Sequence, residues 1–184
     1  MKSKSIIMYF LTAGLAFFSL TSCLKSGDKY IDFSKVGTLI ELPLAAYRPS
    51  THTPSLTVYK IAVQTYAAAS TPSDLPVVVN IASPETLGSD LTVTLAADPA
   101  ALADLKTKIG NTTYVLLPAA GYTITNPTTT IIAGKRTGTV TVKINTAVID
   151  KTITTYILPI SITDASGQTI SKYKTVFYNI KVTS

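Results

Sequence analysis

Cysteine, histidine and tryptophan are almost missing from this chain of 184 residues, which holds one Cys, one His and no Trp. A single cysteine cannot close an internal disulfide, so the usual staple of exported domains is excluded. A metal site needs several convergent ligands, and His52 has neither a second histidine nor a free cysteine to join it; no metal and no cofactor is expected. Charge is scarce too, at 14% of residues, and Glu41 and Glu85 are the only glutamates. Glycoside hydrolysis needs two positioned carboxylates, and nucleophilic catalysis needs a nucleophile, a base and an orienting group. The aspartates sit mainly at turns and His52 lies in a proline-flanked loop, so the chain reads as no enzyme. The formal charge is +6, but Lys135-Arg136 is the only adjacent basic pair. Without a positive stripe a nucleic-acid partner is not expected.

What is present begins at the N-terminus. Lys2 and Lys4 precede an apolar run from Ile6 to Leu20. That run is shorter than the roughly 20 residues that span a bilayer as a helix. A basic start, an apolar stretch and small residues are the layout of a secretory signal. The ending, Leu20-Thr21-Ser22-Cys23, resembles the lipobox of bacterial lipoproteins. The resemblance implies cleavage before Cys23, a diacylglycerol on its thiol, and a further acyl chain, such as palmitate, on the new amine. Several acyl chains suffice for stable anchoring where one alone is marginal. Sixteen basic residues less Lys2 and Lys4 leave fourteen against ten acidic, a net of +4 for the cleaved chain. The expected division is a signal peptide over 1–22, a flexible tether over 23–35 and one β-rich domain over 36–184. By resemblance to enteric lipoproteins, the lack of Asp directly after Cys23 argues against inner-membrane retention. The expectation is an outer-membrane lipoprotein with its domain at the cell surface, a periplasm-facing domain being the alternative.

The body is rich in Thr, Val, Ile and Tyr, a composition that favours strands. Strands are predicted at 36–42, ended by Pro43, and at 56–66. In the latter, Tyr59, Ile61 and Val63 fall on one face and Lys60 and Gln64 on the other. Residues 47–54, with Pro49 and Pro54, form a loop. Val77, Val79 and Ile81 point inward from a strand at 75–82 whose Val-rich centre suggests burial on both sides. Leu91, Val93 and Leu95 alternate with Thr92 and Thr94. Asp98-Pro99 opens the one helix and Gly110-Asn111 stops it, with Leu102, Leu105 and Ile109 as its docking face over the end of a sheet. Val140, Val142 and Ile144 form another inward set, as do Tyr156, Leu158, Ile160 and Ile162. Pro159 within that last strand implies an edge or a bulge. A turn at 164–167 leads to a final strand over 168–182, with Val176, Tyr178, Ile180 and Val182 inward. Eight or nine strands with short turns and one helix predict two packed sheets.

Three segments together are familiar: Tyr114-Val115-Leu116-Leu117-Pro118 with Gly121-Tyr122-Thr123-Ile124, the run from Thr130 to Val142 around Gly134-Lys135-Arg136, and Tyr156-Ile157-Leu158-Pro159-Ile160-Ser161-Ile162-Thr163. Behind a lipobox they resemble a domain of unknown function in surface lipoproteins of gut-dwelling Gram-negative anaerobes. The resemblance covers most of Val36 to Val182. It implies an all-β fold, an immunoglobulin-like antiparallel β-sandwich of about eight strands with one short helix, next to the membrane. It also implies association with polysaccharide binding and uptake, because such domains often precede a glycan-binding or glycoside-hydrolase-like domain.

Sugar binding favours exposed aromatic rings beside hydrogen-bonding groups. Tyr47, with Arg48 beside it, and Tyr66 are the tyrosines least tied to an inward pattern and are the candidate ligand-binding residues. Phe177 points away from the inward set of its strand, toward a neighbouring chain or sheet. Asn111-Thr112-Thr113 matches a glycosylation sequon that a bacterial lipoprotein has no reason to use. The expected partners are the membrane, through the lipid anchor, and a polysaccharide or other outer-membrane proteins. The alternative is a structural or adhesive lipoprotein that assembles by pairing strand edges and has no glycan ligand.

Overall fold

The structure is a computed structural model that describes residues 37–46 and 61–184, all within the unit Val36–Ser184. In chain order the elements are β1 (Leu39–Glu41), helix α1 (Pro43–Ala46), β2 (Ile61–Ala67), β3 (Ser73–Ala82), β4 (Leu91–Ala97), helix α2 (Ala101–Ile109), β5 (Val115–Leu116), β6 (Tyr122–Thr123), β7 (Thr128–Ile131), β8 (Thr137–Ile144), β9 (Tyr156–Asp164), β10 (Thr169–Ile170) and β11 (Thr175–Thr183). The first sheet has the order β10-β1-β3-β8-β6, and the second β2-β11-β9-β4-β7 with β5 beside β9.

The all-β sandwich is as expected, and eight of its strands have three or more residues. It is not purely antiparallel, because β1 with β10, β2 with β11, and β5 with β9 pair in parallel. The expected final strand is divided. Ser166 and Gly167 take positive φ of 46° and 83° in the turn after β9. The chain then visits the first sheet as β10 before returning as β11 beside β9.

Alternation decides the core. Leu91, Val93 and Leu95, and Val140, Val142 and Ile144, are all at most 4% exposed. They pack with Tyr156, Leu158, Ile160, Val176, Tyr178 and Ile180 in one cluster between the sheets. Two face assignments change. Val78 is 40% exposed, so β3 is buried on one side only; no described element covers the outer face of the first sheet there. In β2 the buried residue is Ala62, while Val63 is 55% exposed. Parallel pairing sets Ile61 beside Phe177 and Val63 beside Asn179, which puts both on the outer face of the second sheet.

That outer face is covered by α2. Leu102 and Leu105 are buried with Ile157 and Phe177, and Ile109 and Tyr114 flank them. Phe177 therefore faces the helix of its own domain rather than another chain or sheet. The helix begins at Ala101, later than predicted, but Asp98 still caps it: its Oδ1 accepts from the Ala101 N–H at 3.3 Å. Its Oδ2 accepts from the Ser161 hydroxyl at 2.9 Å, which ties the helix start to β9. Gly110 ends the helix at φ 64°.

Pro159 lies in a central strand, not at an edge. On one side of β9, β5 pairs with Tyr156 and Ile157 and β4 with Ile160 to Asp164, so Pro159 falls in the gap between them. Its carbonyl still accepts from the Asp98 N–H at 3.0 Å, and no strand there needs the N–H that proline lacks. The bulge of β9 is elsewhere: a register shift opposite Thr94 and Leu95 leaves Thr163 as the extra residue.

Candidate functional site: a polar notch beside β8

Even-numbered residues of β8 turn their main-chain groups toward β3, since the Arg136 carbonyl accepts from Ile81 N–H at 2.8 Å and the pairing continues in register to Ile144. Odd-numbered residues therefore turn theirs to the opposite edge. Asn145 N–H donates there to the Gly121 carbonyl at 2.9 Å, and Thr139 N–H donates to the Thr129 hydroxyl at 3.2 Å. Between these two points the neighbour is lost. The strand β6 pairs with β8 only at Tyr122–Ile144 and Thr123–Lys143. Beyond Thr123 the chain leaves the ladder, and no described strand pairs with Thr141 on that edge.

The result is a notch of about 310 Å³. Thr125, Asn126 and Thr128 line it from the segment after β6, and Thr139, Thr141 and Lys143 from β8, with Val140 completing the lining. All six polar residues are exposed. Lys143 is balanced by Asp74, its cross-strand partner on β3, through an ion pair. The rim where β7 meets β8 is tight: a Cβ on Gly138 would stand 2.8 Å from Thr129 Oγ1 and 3.0 Å from Ile131 Cγ1. This is a neutral surface of hydroxyls, an amide and open main-chain groups, suited to hydrogen bonding.

Cys23, Tyr47 and Arg48 lie outside the described residues, as does His52. Tyr66, next to last in β2, is half-buried against the main core, not free of it as expected, because the parallel pairing with β11 turns it inward beside Val182. Burial first, and the Asp74 carboxylate second, push its hydroxyl above the ordinary phenol range. It does not line the notch. The notch residues were not singled out from the sequence. The outward set Thr139, Thr141 and Lys143 was visible as the polar half of an alternating strand; the departure of the chain after Thr123 was not.

The described carboxylates mostly do structural work. Besides Asp98 and Asp74, Asp90 accepts from Ala133 N–H, Asp164 from Ser166 N–H, and Asp150 from Thr152. The Thr152 side chain and N–H hold the Asp150 carboxyl below its usual value. Among the described residues no group of three His, Cys, Asp or Glu is placed to hold a metal ion. No described helix is long and apolar enough to cross a membrane.

A family model described as an N-terminal domain matches residues 46–169. The chain belongs to that N-terminal-domain family. The matched span includes the whole notch. No curated protein matches the chain. Among solved structures, a multidomain protein including DUF1735 from Bacteroides ovatus is similar at TM-score 0.59 and 13% identity, over 78% of this chain and 45% of the other. A putative carbohydrate binding protein from Bacteroides ovatus is similar at TM-score 0.53 and 16% identity, over 67% and 36%. EndoBT-3987 from Bacteroides thetaiotaomicron, solved with a Man5GlcNAc product, is similar at TM-score 0.54 and 20% identity, over 66% and 28%. The chain thus spans less than half the length of each of these three. At such identities the likeness is one of fold. The resemblance to a gut-bacterial domain of unknown function, read from the three segments above, agrees with both the family and the fold.

Proposed function

We propose that this chain is a lipid-anchored, non-enzymatic binding module of a polysaccharide-uptake system, held in the outer membrane through Cys23 with its domain at the cell surface. The observation that carries the binding role is the polar notch in a domain whose fold recurs in a putative carbohydrate binding protein. The non-enzymatic reading is supported by the described carboxylates, most of which are engaged in caps, turns and an ion pair rather than gathered in the notch. The domain plan behind it is a signal over 1–22, a tether over 23–35 and the sandwich over 36–184. A glycan array probed with the detergent-solubilised chain tests the binding role. Signal on plant, fungal or host polysaccharides is expected, and silence across all of them overturns it.

A second reading, strand-edge assembly without a glycan, has one observation in its favour. The strand β2 closes the order of its sheet, carries neither charge nor proline, and exposes Val63. Uncharged edge strands are templates for pairing. Concentration-dependent self-association in analytical ultracentrifugation, lost on Val63→Lys, is the outcome this reading requires.

A further inference from the structure

We infer that the notch beside β8 is the sugar-binding site, that it takes a neutral saccharide, and that the main-chain edge of Thr141 is its floor. The inference rests on the glycan-binding reading above and gives it an address. Three observations carry it. First, strand alternation sends the N–H and C=O of Thr141 to an edge where β6 has already left the ladder, so a donor and an acceptor are presented side by side with no partner among the described strands. Second, hydroxyls surround that pair. Thr125, Thr128, Thr139 and Thr141 can each donate and accept, as sugar hydroxyls do, and the Asn126 amide adds both functions. Third, the charge is cancelled in place. Lys143 already holds Asp74, so the described lining of the notch has no free cation to select an acidic sugar.

The rim is held before any ligand arrives. Thr129 Oγ1 accepts from Thr139 N–H, and the absence of a side chain at Gly138 lets β7 approach that closely. Preorganised groups lose less freedom on binding. Among the described residues no aromatic ring lines the notch, so affinity rests on hydrogen bonds that are each modest in water. A dissociation constant on the order of 1 mM is the scale to expect.

The test is amide NMR on the ¹⁵N-labelled, detergent-solubilised full chain. It is titrated with neutral hexasaccharides (glucan, mannan and xylan fragments) and with oligogalacturonate. The expected result is a saturable shift of the Thr141 and Thr139 amides with a neutral sugar and none with oligogalacturonate. The Thr139→Val/Thr141→Val pair removes two hydroxyls from exposed positions while keeping shape, and should weaken binding about tenfold with the rest of the spectrum unchanged. Shifts centred on Tyr66, or full binding by the double-valine variant, overturn the notch while leaving the glycan-binding reading intact. A preference for oligogalacturonate overturns the neutral class. No shift with any sugar overturns both the site and the reading beneath it.

Discussion

Phe177 of β11 and Leu105 of α2 are 1% and 0% exposed and share one apolar cluster on the outer face of the second sheet. A sandwich strand that alternates inward and outward would leave Phe177 in water. The helix makes β11 and β9 two-sided. Leu105→Ala should therefore cost about 3 kcal/mol, as expected for a buried leucine whose site only partly collapses. Urea unfolding measures it; a loss under about 1 kcal/mol would mean that the helix is not docked.

Gly138 and Thr129 set the spacing of β7 and β8. Gly138→Ala places a methyl 2.8 Å from Thr129 Oγ1 and should destabilise by about 1–3 kcal/mol. Thr129→Ala removes two of the three atoms it strikes and leaves Ile131 Cγ1 at 3.0 Å, so the double variant should recover part of that loss. A double-mutant cycle reads the coupling, and simple additivity would contradict the close approach.

These two cases show what was legible in the sequence. The inward sets of β4, β8 and β9 follow from apolar alternation because both sheets bury one face against the other. The helix followed from Asp98, Pro99 and Gly110, which act locally. The partner of Phe177 did not, since an outward aromatic reads the same whether helix, chain or solvent meets it. The position of Pro159 also escaped local reasoning. Proline is tolerated in central β9 only because β5 stops short of it and β4 pairs beyond it, facts about two distant segments. The faces of β2 depend on its parallel register with β11, which no pattern within β2 encodes. The notch is harder still, because its floor is main chain and its walls are ordinary threonines.

Tyr178 gives a pH dependence. It is 1% exposed, and burial, followed by nearby Tyr66, holds its hydroxyl far above the ordinary value of 10.0. Below about pH 10 both folded and unfolded chains keep the proton and stability is full. Above it the unfolded chain binds fewer protons than the folded one, so stability falls as pH rises. The Tyr66 shift acts in the same direction. Urea midpoints between about pH 8 and pH 11 should therefore decline, and Tyr178→Phe should reduce the decline. An equal slope in the variant would contradict the assignment.

Cys23 is expected to carry the anchor. Cells fed radiolabelled palmitate should label the wild-type chain and not Cys23→Ala, and the unlabelled variant should leave the membrane fraction. Equal labelling of both would end the lipoprotein reading.

The central claim joins anchor and notch: a lipid-held domain that captures a neutral polysaccharide at the cell surface. Binding of fluorescent neutral polysaccharide to whole cells expressing wild type, Cys23→Ala or Thr139→Val/Thr141→Val at matched protein levels tests it most directly. Wild-type cells should stain, and both variants should fall to the level of cells lacking the protein. Equal staining of all three strains, or none above background with any neutral polysaccharide, would contradict the account.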